Sequence, residues 1–173
     1  MKRSRTLCLS IALSLLAACR SLPDPTGAEA SPTDERRAAV EHVLDAFHQA
    51  ASDANGERYF GLMTEDAVFL GTDATERWTR DAFRDYAMPY FEAGRGWTYR
   101  TLERHVHLAP AGDSAWFDER LWNDKYGECR GTGVLLRRET GWKVAQYNLT
   151  FPVPNEIAGE VVEQIKRHTG AAR

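Results

Sequence analysis

The sequence predicts an α+β domain: a cone in which a strongly curved antiparallel or mixed sheet wraps around about three N-terminal helices. Three observations lead there. Apolar residues recur at helical spacing over residues 31–91 and then alternate along four segments between residues 97 and 151. The connectors between those four segments are short and rich in turn residues, which makes the strands antiparallel neighbours. A sheet of that size twists and has one apolar face to cover, and the preceding helices carry the apolar stripes to cover it.

The elements follow in order. Ser31-Pro32-Thr33-Asp34 is a helix start: a hydroxyl cap, proline in the first turn, and an acid near the positive end of the dipole. Val40, Val43, Leu44 and Phe47 then recur at helical spacing, so the first helix runs to about Ser52. Asn55-Gly56 breaks it, and a short second helix over residues 57–63 carries Tyr59, Phe60, Leu62 and Met63. Residues 67–70 form a brief buried strand, ended by Gly71 and a polar loop over residues 72–79. A third helix starts near Thr79 with Phe83, Tyr86, Ala87, Tyr90 and Phe91 along one stripe, which reads as core; Pro89 is expected to kink or end it. Four strands follow, over residues 97–108, 114–123, 128–138 and 142–151, joined by turn residues such as Pro110-Ala111-Gly112-Asp113 and Thr140-Gly141. Ile157, Val161, Val162 and Ile165 mark an amphipathic C-terminal helix.

The N-terminus reads as an address. Lys2, Arg3 and Arg5 precede an apolar run over residues 7–16 and then Ala17-Ala18-Cys19, a pattern that resembles a bacterial lipoprotein signal. The run is about half the length a membrane-spanning helix needs. The expected division is signal over residues 1–18, tether over 19–33, cone domain over 34–155, and a C-terminal helix or tail over 156–173. Cys19 would carry the lipid, placing the protein in the cell envelope as a membrane-anchored lipoprotein. Cleavage before Cys19 leaves 155 of 173 residues and removes three of the 22 Lys+Arg against 25 Asp+Glu, for a net charge of −6. An acidic chain without a basic run gives no footprint for nucleic acid. With Cys8 removed and Cys19 lipidated, Cys129 is left as a lone thiol, so no intramolecular disulfide forms.

A family resemblance rests on Glu65-Asp66-Ala67-Val68-Phe69, Gly71-Thr72-Asp73 with Glu76 and Trp78, Ala115-Trp116-Phe117-Asp118-Glu119, Gly131-Thr132-Gly133-Val134-Leu135, Gly141-Trp142-Lys143-Val144 and Gln146-Tyr147-Asn148-Leu149. Over about residues 36–155 the chain resembles the nuclear-transport-factor-2-like superfamily, and within it the SnoaL-like branch. The resemblance implies the cone fold and little about activity, because the superfamily hosts isomerases, cyclases, dehydratases and binding modules. In relatives similar to ketosteroid isomerase, an Asp after the first strand is the base and an acid in the third long strand is the oxyanion donor. Gly71 and about Gly133 stand at those positions here, so steroid isomerisation by that route is not expected.

Several constellations carry chemistry. Asp73, Glu76, Arg77 and Trp78 share a loop and form either a cavity rim, with two proton-shuttling carboxylates and a stacking indole, or a salt-bridged loop. Trp116, Asp118, Arg120 and Trp122 share one strand face and Phe117, Glu119 and Leu121 the other, so whichever face is buried carries an acid. A buried carboxylate must be paired or protonated, which makes Glu119 the sharper anomaly, catalytic or structural. Trp142, Val144, Gln146 and Asn148 share a face expected to point inward, which would put two amides in the cavity. The expected ligand-binding set is thus Tyr59, Trp78, Trp116, Asp118, Gln146 and Asn148, with Asp73, Glu76 and Glu119 as candidate proton carriers. Glu103, His105 and His107 alternate opposite Leu102, Val106 and Leu108, the expected core side; neither a metal nor another cofactor is expected. The leading expectation is a small, partly apolar molecule held in the cone. The alternatives are an acid–base enzyme of isomerase, dehydratase or cyclase type, and a homodimerising interaction module without a ligand.

Overall fold

The computed structural model describes residues 31–170; the signal-like segment, Cys19 and most of the tether fall outside them. Helix α1 (Pro32–Ser52) begins where the Ser31 hydroxyl accepts from the Asp34 amide, with Pro32 in the first turn, and buries Val40, Leu44, Phe47 and Ala51. Asn55 caps the short α2 (Gly56–Gly61) by accepting from the Arg58 amide at 3.0 Å, and α2 buries Tyr59 and Phe60. Strand β1 (Met63–Leu70) is longer than the four residues expected. Part of the expected polar loop is a further strand, β2 (Arg77–Thr79), because Leu70 pairs with Arg77 and the Gly71 amide donates to the Glu76 carbonyl at 2.9 Å. Thr79 then caps α3 (Arg80–Glu92).

Helix α3 does not end at Pro89 but runs on to Glu92. The missing donor frees a carbonyl one turn earlier at Asp85, and both residues are exposed, so water can satisfy it. The remaining strands are β3 (Arg100–Leu108), β4 (Ser114–Asn123), β5 (Gly127–Arg138) and β6 (Gly141–Thr150). The sheet is curved, unclosed and mixed, with order β2-β1-β6-β5-β4-β3; β1 runs parallel to β6 and every other pair is antiparallel. The three helices lie in its concave side, where Leu44, Phe47, Phe60, Phe83, Phe117 and Leu135 belong to one continuous apolar core. Helix α4 (Ala158–Thr169) buries none of its residues and leaves Ile157, Val162 and Ile165 exposed. Among the described residues, no helix is long and apolar enough to cross a membrane.

Two bulges reverse expectations about which side chains point inward. On β6, Val134 pairs with Gln146 but Leu135 with Val144, so Ala145 is an extra residue. An extra residue in a strand inverts the alternation beyond it. Trp142 and Val144 therefore face the core before the bulge and Tyr147 and Leu149 after it, while Gln146 and Asn148 are turned to the outer face. On β3, Thr101 pairs with Leu121 and Glu103 with Arg120, which leaves Leu102 as the extra residue. Leu102 is expelled from the expected core side and is 53% exposed, whereas Arg104 and Val106 turn inward.

Candidate functional site

The concave side has two ends of opposite character. Beneath α1, the inward residues of β4 place Glu119 between Phe117 and Leu121 with its side chain fully covered. Its Oε1 meets His48 Nε2 at 2.7 Å and accepts from the Tyr147 hydroxyl at 2.9 Å, while Oε2 accepts from Arg104 Nε at 2.8 Å. Arg104 also donates to Asp45 Oδ1 at 2.7 Å, to the Glu41 carbonyl and to the Thr101 hydroxyl. Burial alone would push the Glu119 carboxyl up, but the hydrogen bond and charge of His48, then Arg104, outweigh it and hold it below the ordinary carboxylate value. Burial, then the Glu119 charge, pushes the Tyr147 phenol well up. Gly131 makes room for this cluster: a Cβ there would run into the Tyr147 hydroxyl and the Glu119 carboxylate. Three side chains hold Glu119, two at Oε1 and one at Oε2, and its side chain is fully covered, which suits a structural anchor rather than a proton carrier.

The other end is open. A cavity of about 670 Å3 lies between the mouth of the sheet, α3 and the segment before β3. Phe69 of β1 and Phe83 of α3, stacked at 4.1 Å, lie at its apolar inner side. Trp78, Tyr86 and Tyr90 form one aromatic wall, with ring centroids 5.3 and 5.5 Å apart in succession. Trp97 and Tyr99 line it from the segment leading into β3; Tyr126 and Phe151, 4.8 Å apart, complete the rim. Burial, first of all, pushes the Tyr99 phenol up to about 12. Glu76 brings a carboxylate into this aromatic setting; Oε2 accepts from the Asp73 amide at 3.2 Å, and the side chain lies against Gly71, where a Cβ would collide with it. Such a volume, walled by rings and edged by polar groups such as Glu76, Arg95, Asn123 and Lys125, can take a small, partly apolar molecule.

Of the residues singled out in the sequence, Glu76 and Trp78 line this cavity. Asp73 does not: its carboxylate folds back on its own loop, accepting from the Thr75 amide at 2.8 Å and the Thr75 hydroxyl at 2.6 Å, and those bonds hold it below its ordinary value. Glu119 is sealed away under α1. Tyr59 is a core residue stacked on Phe47 at 4.1 Å and is 1% exposed, because α2 turns its ring toward α1. Trp116, Asp118, Gln146 and Asn148 do come together, but on the outer face of the sheet, in the rows Trp116–Val134–Gln146 and Asp118–Thr132–Asn148. The Ala145 bulge is the reason for the two amides. For Trp116 and Asp118 it is the choice of Glu119's face as the buried one.

Tyr86 and Tyr90 correct the expectation that the whole aromatic stripe of α3 is core, since Phe83 and Phe91 are buried while the two tyrosines face the cavity. Besides the rings of Trp97, Tyr99, Tyr126, Tyr147 and Phe151, four cationic or imidazole side chains went unread in the sequence: His48, Arg104, Arg95 and Lys125. The first two had a signal, one turn after Leu44 on α1 and two residues before Val106 on β3; rim cations in turns have none. Glu103 and His105 pair at 3.3 Å on the exposed outer face, and Cys129 is buried in the sheet.

The SnoaL-like domain family matches residues 40–154, more than half of the chain. No curated protein matches the chain. Among solved structures, the fold is similar to that of a candidate dehydratase of the NTF2-like family from Streptomyces avermitilis (TM-score 0.60, 15% identity, covering 70% of this chain and 99% of that one). It is also similar to an NTF2-like protein of unknown function from Pseudomonas putida KT2440 (TM-score 0.57, 16% identity, 69% and 88% coverage). A function-unknown protein from Mycobacterium tuberculosis matches with a TM-score of 0.60 at 20% identity, covering 77% of this chain and 82% of that one. Likeness at these identities speaks for the fold alone.

Proposed function

The chain belongs to the SnoaL-like domain family, and on that premise we propose that it holds a small, partly apolar molecule in the aromatic hollow at the open end of its cone. The observation that carries this reading is the cavity of about 670 Å3 walled by Trp78, Tyr86, Tyr90, Trp97 and Tyr99. Ligand pockets fall in that range of volume and combine apolar walls with a few polar groups. Titration with the neutral probe 1-naphthalenemethanol, followed by fluorescence, tests it. Saturable binding is expected, weakened about three- to tenfold by Trp78→Ala as one stacked ring is lost. No binding, or binding indifferent to Trp78, overturns the reading.

Acid–base chemistry on the bound molecule is a second reading, favoured by Glu76 alone. Among the described residues it makes no ion pair, and it stands in the cavity. Turnover of a bound compound that disappears in Glu76→Gln while its binding persists would support an isomerase, dehydratase or cyclase. Turnover unaffected by that change would remove Glu76 from the chemistry.

The domain acts from the cell envelope, held by lipid on Cys19. The sequence pattern around that residue supports this, and Cys19→Ser is expected to release the protein from the membrane fraction. Membrane retention of that variant refutes the anchor. A homodimer formed through the outer sheet face is favoured by half-exposed Trp116, its neighbour Val134 and, further along the same row, Val68. A concentration-independent monomer in analytical ultracentrifugation rules it out.

A further inference from the structure

Resting on the ligand reading above, we infer that the occupant of the hollow is a planar aromatic anion, its negative group held at the rim by Arg95 and Lys125. Both residues line the cavity. Arg95, in the segment between α3 and β3, stands over the Tyr90 ring at 5.0 Å, and Lys125, in the β4–β5 turn, stands over the Tyr126 ring at 4.7 Å. Each cation, though exposed, is thereby seated over a ring of the hollow. Among the described residues neither makes an ion pair.

The nearby carboxylate is already spent. Asp124 takes Arg100 at 2.7 Å and the Trp122 indole N–H at 3.0 Å, so it neutralises Arg100 rather than Lys125. Glu76, the cavity's other acid, sits in the β1–β2 loop, about three strand spacings or roughly 14 Å away along the sheet. The rim therefore carries two uncompensated cations, Lys125 across the sheet from Glu76 and Arg95 on the Tyr90 wall. The aromatic surface between them fits a ring system that puts its anion at Arg95 and Lys125.

Besides the Arg100–Asp124 pair, a second side chain ties the cation-bearing segments to each other. Asn123 Oδ1 accepts from the Lys125 and Tyr126 amides at 3.0 and 3.1 Å, while its Nδ2 donates to the Thr98 carbonyl at 3.0 Å, three residues beyond Arg95. Asn123 is thus a positioning residue: it ties the β4–β5 turn to the segment that carries Arg95. An organic cation fits less well, because Arg95 and Lys125 already cover two of the ring faces it would use.

Three probes with the same ring system and different charge separate the outcomes: 1-naphthoate, 1-naphthalenemethanol and 1-naphthylmethylammonium, titrated into the full chain in neutral detergent at pH 7 and low salt. Naphthoate is expected to bind about tenfold more tightly than the alcohol, the scale of one charge-assisted contact, with the ammonium weakest. The preference should fade as salt is raised. In Arg95→Gln/Lys125→Gln the ratio of naphthoate to alcohol affinity, both read on that same variant, should fall to about one. Equal affinity for naphthoate and alcohol, or tightest binding of the ammonium, overturns the anion inference and leaves the hollow as a binding site. A preference that survives the double substitution overturns the assignment to Arg95 and Lys125. Failure of all three probes to bind overturns both this inference and the reading on which it rests.

Discussion

Glu119 at one end of the concave side and Glu76 at the other are carboxylates with opposite fates. Glu119 under α1 has no exposed side-chain surface and three side-chain partners, one of them a guanidinium. Glu76 at the mouth is half-buried and accepts a single backbone amide at 3.2 Å. A carboxylate moved fully out of water costs several kcal/mol unless cations and hydrogen bonds surround it. Once they do, the sealed group is out of a substrate's reach. The difference teaches that burial by itself does not mark a reactive acid in this fold; what counts is unspent hydrogen-bonding capacity facing open volume.

The sharpest way to break the comparison is to strip the sealed end of its cation. Arg104→Met leaves Glu119 buried without its guanidinium and is expected to cost about 3–5 kcal/mol in urea denaturation. A loss below about 1 kcal/mol would mean that the two ends are not different in kind. Gly131→Ala forces a methyl group against Tyr147 and Glu119 and is expected to cost about 1–3 kcal/mol, with ligand binding at the mouth unchanged.

A pH series then reads the sealed carboxyl directly. Because its folded-state pKa is depressed, the folded protein binds fewer protons than the unfolded chain between the two values. Its stabilising contribution is complete above the unfolded-chain pKa of about 4.3 and drains away as pH falls through the folded value. Compared with the wild type, Glu119→Gln should therefore show a stability deficit that narrows on acidification below about pH 4.3. A deficit independent of pH would show that the carboxyl titrates alike in both states. The smallest effect belongs to the mouth: Glu76→Gln should change stability by no more than about 0.5 kcal/mol. A loss above about 2 kcal/mol would make Glu76 a second anchor and erase the contrast.

Much of the architecture is legible because its signals are local. The Ser31 cap and the spacing of Val40, Leu44 and Phe47 place α1 over the span it occupies, and the alternation in Ser114–Asn123 delimits β4 exactly as wide as it is. Strand β2 is illegible: three residues, Arg77–Thr79, become a strand only because β1 offers them an edge. The site is legible in part. Trp78 and Glu76 stand where a cavity rim was expected, and Glu119 is the buried acid that alternation demanded. Gln146 and Asn148 were misplaced by one residue, Ala145, which carries no mark of a bulge. Tyr86 and Tyr90 look like core on a helical wheel, and they face a hollow only because the sheet curves away from that stretch of α3.

What the amino-acid sequence determined by itself is the order of elements, the cone they build and the certainty that one strand face would bury an acid. Those are consequences of short-range periodicity and turn chemistry. Tertiary structure alone decided which acid is spent and which remains free. Glu119's partners His48, Arg104 and Tyr147 lie 71, 15 and 28 residues away along the chain. A period of two says that two faces differ, but one inserted residue exchanges them, and only the paired neighbour strand reveals where that residue sits.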